Sequence, residues 1–169
     1  IKFRNGTNQL LLATDLASRG IDIPEIKFIL HYHLPLHDKE FTHRNGRTAR
    51  MNQDGIAYVL QFKEDELPDF IKDIKPEIID IDNKNTSKSA SSINWNTLYI
   101  TGGRRDKISK GDIVGLFIKQ GGIEKQQLGV IEVKQNCAYV SVDSSVTEQI
   151  IEKTNNSRLK KKKVRISKI

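Results

Sequence analysis

The sequence predicts an α/β chain in two parts: a mainly parallel sheet first, then an α+β unit of order βαββαβ. Three observations carry this. Short continuous apolar runs alternate with helical stretches up to about residue 82, as buried parallel strands do. Asp82 to Ser92 has no apolar periodicity and is linker by composition. The charge also changes sign there. Residues 1–82 hold 11 Lys+Arg against 14 Asp+Glu, a net of −3, whereas residues 83–169 hold 17 against 7, a net of +10. The basic character of this +7 chain therefore belongs to its second half, where it points to a polyanion partner.

In the first part, Asn5-Gly6 signals a turn and Leu10 to Ala13 a short buried strand. That strand ends in the polar pair Thr14-Asp15, and open α/β sheets build sites at such strand ends. Leu16 to Gly20 is expected to be a helical turn, closed by Pro24. Ile26 to Leu34 reads as a second buried strand, ended by Pro35. Asp38 is the expected N-cap of the next helix. Gly55 to Leu60 predicts a third strand, Glu64 to Ile74 a short helix, and Glu77 to Ile81 a further strand.

The helix after Asp38 carries His43-Arg44-Asn45-Gly46-Arg47-Thr48-Ala49-Arg50, three arginines and a histidine in eight residues. At about 100° per residue, His43, Arg47 and Arg50 fall on one helical face, with Arg44 a quarter-turn away. Arginine is permanently charged and its planar fork suits phosphate oxygens. Gly46 leaves room for a close approach beside Arg47. The spacing of His31, His33 and His37 is set aside as a metal site, because no carboxylate or thiolate cluster accompanies them.

Ala13-Thr14-Asp15-Leu16-Ala17-Ser18-Arg19-Gly20-Ile21-Asp22-Ile23-Pro24 resembles motif V of the DEAD-box RNA helicases. His43 to Arg50 resembles their motif VI, usually His-Arg-Ile-Gly-Arg-Thr-Gly-Arg. The resemblance implies that residues 1–82 are the C-terminal half of a second RecA-like domain. It implies that Arg47 and Arg50 are arginine fingers toward the γ-phosphate of ATP. His43 would bridge to the first RecA-like domain and Asp22 would bond the ribose. Arg19 and Gly20 would shape the motif V loop. Thr14 would contact RNA phosphate, and Asp15 would support that edge. Two features depart from the family wording. Asn45 stands where an apolar residue is usual, which weakens packing unless its amide finds a partner. His31-Tyr32-His33 stands where Asn-Tyr-Asp is usual, and nothing in the sequence explains that change. Ala49 replaces a glycine, as it commonly does in the DbpA-type group.

From residue 95 the order of elements resembles an RNA-recognition motif, a four-stranded sheet backed by two helices. Thr97 to Thr101, Leu128 to Val133, Cys137 to Val142 and Lys160 to Ile166 are its expected strands. Asp112 to Gln120, ended by Gly121-Gly122, and a segment capped by Ser144 or Ser145 and running to Thr154 are its expected helices. Leu98 to Gly102 and Gln135 to Val142 align with the first and second ribonucleoprotein motifs met along the chain. Alternation exposes Tyr99, Cys137 and Tyr139 and buries Leu98, Ile100, Ala138, Val140 and Val142. Gln135 and Cys137 stand where a basic residue and an aromatic are usual, which shifts weight onto the basic loops. Gly102-Gly103-Arg104-Arg105-Asp106-Lys107 and Gly111 to Gly115 resemble the RNA-binding domain of DbpA-type helicases.

The expected organisation is thus residues 1–82, RecA-like; 83–94, linker; and 95–169, RNA-binding. The expected RNA contacts are Thr14, Asp15, Tyr99, Arg104, Arg105, Lys107, Tyr139, Lys161 and Lys163. The expected catalytic residues are Arg47, Arg50 and His43, and the expected nucleotide contacts are Gly20, Asp22, Arg47 and Arg50. The chain begins at Ile1 and contains no Gly-x-x-x-x-Gly-Lys-Ser/Thr phosphate loop, no Asp-Glu-Ala-Asp and no Ser-Ala-Thr. It is expected to be a piece of a longer helicase, inactive alone, whose first RecA-like domain holds Mg2+ with the ATP. The partner implied by the resemblance is large-subunit ribosomal RNA, in ribosome assembly. A non-enzymatic RNA-binding protein is the main alternative, and a DNA translocase a distant one. A single cysteine, Cys137, fits a reducing cytoplasm, and no apolar run is long enough to span a membrane. A monomer is expected.

Overall fold

The computed structural model describes residues 1–18, 26–48, 54–62, 64–80 and 94–169. Arg19, Gly20, Asp22, Arg50 and residues 83–93 of the expected linker lie outside the described residues. Contacts divide the chain into two units, one of residues 12–90 and one of residues 91–169 joined by residues 1–11.

In the first unit, β1 (Phe28–His31) pairs in parallel with β2 (Ile56–Val59), with His31 opposite Val59. Helices α1 (Asp15–Ser18), α2 (Asp38–Asn45) and α3 (Asp69–Lys72) complete it. Several expectations are corrected here. Residues 10–13 form no strand, and Leu12 is 91% exposed. An apolar run becomes a strand only when a neighbour takes up its backbone groups, and no described strand pairs with this one. The strand expected at 26–34 is shorter, and of β1 only His31 is buried. Phe28, Leu30, Ile56 and Tyr58 are exposed, because among the described residues no second layer covers that face of the two-stranded sheet. Asp38 is the first helical residue of α2 and does not cap it; His37 is the N-cap, without a side-chain bond. The helix expected at 64–74 shrinks to α3, entered through Pro68, whose missing N–H costs nothing at a helix start. Residues 77–80 are irregular and exposed.

In the second unit, β3 (Trp95–Thr101), β4 (Leu128–Val133), β5 (Cys137–Asp143) and β8 (Ile166–Lys168) form one antiparallel sheet in the order β4-β5-β3-β8. This is the strand arrangement expected of the βαββαβ unit. Helix α4 (Lys110–Gly115) continues as one wider turn over Leu116–Gln120, and α5 (Thr147–Thr154) packs beside it. Leu98, Ile100, Ala138, Val140 and Val142 are fully buried, as alternation required, against Ile113, Phe117 and Ile150. In the wide turn Gly121 N–H bonds Leu116 O at 3.0 Å. A side chain on Gly121 would sit 2.4 Å from the Phe117 carbonyl oxygen, so the backbone there needs glycine. The expected last strand at 160–166 is corrected. Residues 158–163 fold as a small hairpin, β6 (Arg158–Leu159) with β7 (Lys162–Lys163), and the sheet strand follows it. Four consecutive lysines repel along a flat edge, and Lys160 with φ 55° makes the turn instead. Neither Ser144 nor Ser145 caps α5: its N-cap is Val146, without a side-chain bond, and Asp143 caps the single 3-10 turn of residues 144–146 before it, accepting from Ser145 N–H at 2.8 Å.

The start of α4 carries a reciprocal cap. Ser109 Oγ accepts from Asp112 N–H at 3.2 Å, while Asp112 accepts from Ser109 N–H at 2.9 Å. Bonds from Ser109 and from Lys160 Nζ, 2.9 Å away, hold the Asp112 carboxyl at about 2, below its ordinary 3.8. A folded-state value below the unfolded one means that this cap contributes fully above about pH 4 and is lost as pH falls toward 2. Carboxyl NMR titration is expected to give a midpoint near 2 for Asp112, moved back toward 3.8 in Ser109→Ala.

Candidate functional site

The motif-bearing turn is built between α1, α2 and β1. Arg44, half-buried in the last turn of α2, donates through Nε and Nη2 to the two carboxylate oxygens of Asp15, at 2.5 and 2.7 Å. Its Nη1 donates to the His33 carbonyl at 2.8 Å. Such a two-pronged pair fixes orientation as well as distance. Asp15 thus ties the two helicase-like motifs together.

Helix α2 ends at Asn45, and Gly46 and Arg47 lie in a turn. His43 and Arg47 therefore do not share one helix, and Arg50 of the expected face lies outside the described residues. Gly46 N–H still bonds Thr42 O at 2.9 Å, but the next two amides step to Arg44 and Asn45 carbonyls. The chain tightens and leaves the helix, as helices do at glycine. Thr48 then donates through Oγ1 to Ile26 O and forms a parallel bridge with Ile26. Arg47 is half-buried between these anchors, and His43 is exposed on α2. Thr14 is exposed outside any helix or strand.

In the second unit, Tyr99 of β3 lies directly opposite Tyr139 of β5, with ring centroids 5.6 Å apart. Both are half-buried on the face away from the core, beside Cys137. The Cys137 thiol bond, then burial, raise the Tyr139 phenol, so it is uncharged at neutral pH. Along the same face Thr97 accepts from Asn5 Nδ2 at 2.9 Å, and Arg4 pairs with Glu132 at 3.1 Å. Burial raises the Glu132 carboxyl, but Lys134 and Arg4 outweigh it and the net direction is down.

The basic loop follows β3. Gly103 lies against the β4–β5 turn, and an added Cβ would be 2.3 Å from Lys134 O. That close approach lets Arg104 and Arg105 amides bond Lys134 O and Gln135 O, at 2.9 and 3.0 Å. Arg104, Arg105 and Lys107 are left exposed. Asp106 accepts from Gly103 N–H at 3.1 Å and pairs with Lys162 Nζ at 3.2 Å. The Gly103 bond first, then Lys162, hold its carboxyl below the ordinary value. This pair ties the loop to the lysine hairpin and brings Lys161 and Lys163, both exposed, into the same basic region. A cleft of about 370 Å³ opens beside it, lined by Arg4, Arg104, Lys110 and Lys134 with Glu132. The roles of Asp106 and Lys162 were not legible beforehand; the acid within Arg-Arg-Asp-Lys was the only signal.

Comparison with known proteins follows the same division. Residues 1–52 match the helicase conserved C-terminal domain, and residues 97–168 match the DbpA RNA-binding domain. The chain is 30% identical to the ATP-dependent RNA helicase DbpA of Bacillus subtilis, over 99% of its own length and 40% of that protein. It is 27% identical to the protein of the same name in Escherichia coli, over 98% of its length and 37% of the relative. The ATP-dependent rRNA helicase rrp3 of Aspergillus terreus shares 44% identity over 45% of this chain and 19% of that protein. The chain therefore spans about two fifths of the length of the DbpA relatives. Two domain matches in the order of the motifs, together with relatives aligned along almost the whole chain, place it: it belongs to the DbpA-type DEAD-box RNA helicase family and carries that family's helicase C-terminal and RNA-binding domains.

Proposed function

We propose that this chain works as the C-terminal part of an ATP-dependent RNA helicase that binds structured ribosomal RNA through residues 95–169 and acts in large-subunit assembly in the cytoplasm. The observation that carries it is the pairing of two different sites in one chain. One is the Asp15–Arg44 brace beside Arg47. The other is a sheet face with two half-buried tyrosines next to a basic loop and hairpin.

The first site fits one side of a nucleotide. Its cationic forks suit phosphate oxygens, and among the described residues no group of three His, Cys, Asp or Glu side chains could hold a metal ion. Arg47 and Arg50 would contact the γ-phosphate of ATP, whose hydrolysis supplies the free energy for the cycle. A first RecA-like domain would supply the phosphate loop and hold Mg2+. Asp15 orients Arg44, and Arg44 in turn holds the chain just after β1, at the His33 carbonyl, against α2. In the second unit, bases would stack on Tyr99 and Tyr139, each worth about 1–3 kcal/mol. Arg104, Arg105, Lys107, Lys161 and Lys163 would take phosphates and tether the helicase domains near their target.

RNA binding by this chain is expected to weaken by about 0.7 log unit per tenfold salt for each single-stranded phosphate contacted. Arg104→Ala/Arg105→Ala flattens that slope by about 1.4. Fluorescence anisotropy across a salt series checks both, and a flat wild-type profile would overturn the assignment of this surface.

A further inference from the structure

His31 and Asn45 are fourteen residues apart, on β1 and at the last position of α2. His31 Nε2 lies 2.8 Å from Asn45 Oδ1. Because the amide oxygen only accepts, Nε2 carries the proton and donates. His31 is 2% exposed, and its ring stacks at 4.7 Å on Phe41, which sits one helical turn before Asn45 on the same face of α2. Burial lowers the His31 pKa despite the opposing Asn45 bond, so the ring is neutral. One residue beyond Gly46-Arg47, Thr48 is bonded to Ile26 O on the strand side. The two residues between these clamps are Gly46 and Arg47.

We propose that His31 and Asn45 are a matched positioning pair that sets where α2 ends and so holds Arg47 in place. The proposal rests on the nucleotide role given to Arg47 above. It also accounts for Asn45 and for His31 within the second departure, since each is the other's partner, while His33 stays unexplained. Helix α2 alone does not dictate its end. A helix can fray or run on by a residue, and Gly46 permits either. The His31–Asn45 bond fixes the final helical residue against the sheet, and Thr48 fixes the chain after the turn. A misplacement of about 1 Å at a reacting group costs on the order of 10²-fold in rate.

The pair is not symmetric, which gives the test its edge. Asn45 is half-buried and can turn its amide to water, whereas the His31 ring cannot reach water. Removing Asn45 strands a buried N–H, and removing His31 strands only a reachable oxygen. Removing both leaves nothing stranded and is close to neutral. The variants are Asn45→Leu, His31→Phe and the double His31→Phe/Asn45→Leu, made in the complete helicase. The measurement is RNA-stimulated ATP turnover, with kcat and ATP KM separated, alongside thermal melting of each variant. Asn45→Leu is expected to lose kcat by about tenfold or more, His31→Phe by less, and the double variant to recover to within about threefold of wild type. The ATP KM is expected to stay within about twofold, because neither His31 nor Asn45 is among the expected nucleotide contacts. If Asn45→Leu melts below the assay temperature, recovery of both melting and kcat in the double variant carries the same conclusion. Losses that add in the double variant, or a change in KM alone, overturn the pairing while leaving the helicase function standing. No turnover in the wild-type enzyme overturns the function and the pairing together.

Discussion

Arg47→Ala in the complete helicase is expected to lower RNA-stimulated ATP turnover by about 10³–10⁵-fold, the usual worth of an arginine finger. RNA affinity should stay unchanged, because the tyrosines and the basic loop belong to the other compact unit of the chain. Arg47→Lys keeps the charge but not the planar fork, and recovers only a small part of the loss. Phosphate release under saturating ATP and RNA measures the effect. A fall below about tenfold would show that Arg47 is a surface cation and not a group at the reacting phosphate. Arg44→Ala is a different lesion. It breaks the brace to Asp15 and the hold on His33 O, and so acts through position instead of contact.

The second large effect is on stability. Phe117 is fully buried in the widened turn after α4, at the centre of the second unit's core. Phe117→Ala is expected to cost about 3–5 kcal/mol, transfer of the ring plus the cavity left behind. A domain of this size has only about 5–15 kcal/mol in total, so its melting temperature falls by roughly 15 °C or more. Trp95, the only tryptophan, sits half-buried in β3 and reports that transition by fluorescence. Phe117→Leu keeps most of the volume and loses much less. A loss under about 1 kcal/mol for the alanine variant would mean that the turn collapses onto the space the ring leaves.

The second unit was largely legible in the sequence because its strands carry their own pattern. Leu98, Ile100, Ala138 and Val140 alternate with Tyr99 and Tyr139, and a slip of one residue would turn every side chain over. Its lysine-rich end was misread, because a charge run has no period. The hairpin there is set by Asp106 and Asp112, far away in sequence, through Lys162 and Lys160. In the first unit apolar runs announced strands, but only the pairing of β1 with β2 decides which runs become them. The motifs name candidate side chains, not the backbone that presents them, and α2 stops before Arg47. His31 and Asn45 looked like unrelated oddities, since nothing in a one-dimensional pattern shows that two polar residues face each other across a strand and a helix.

The proposed function divides the labour: the first unit bears on turnover, the second on RNA capture. The most direct measurement is steady-state ATP turnover by the complete helicase with and without residues 94–169, titrated with a structured ribosomal RNA fragment. Tethering predicts that the truncation raises the RNA KM by about 10²-fold while kcat stays within about twofold. A fall in kcat at unchanged RNA KM would contradict it, and would place the second unit within the catalytic machinery.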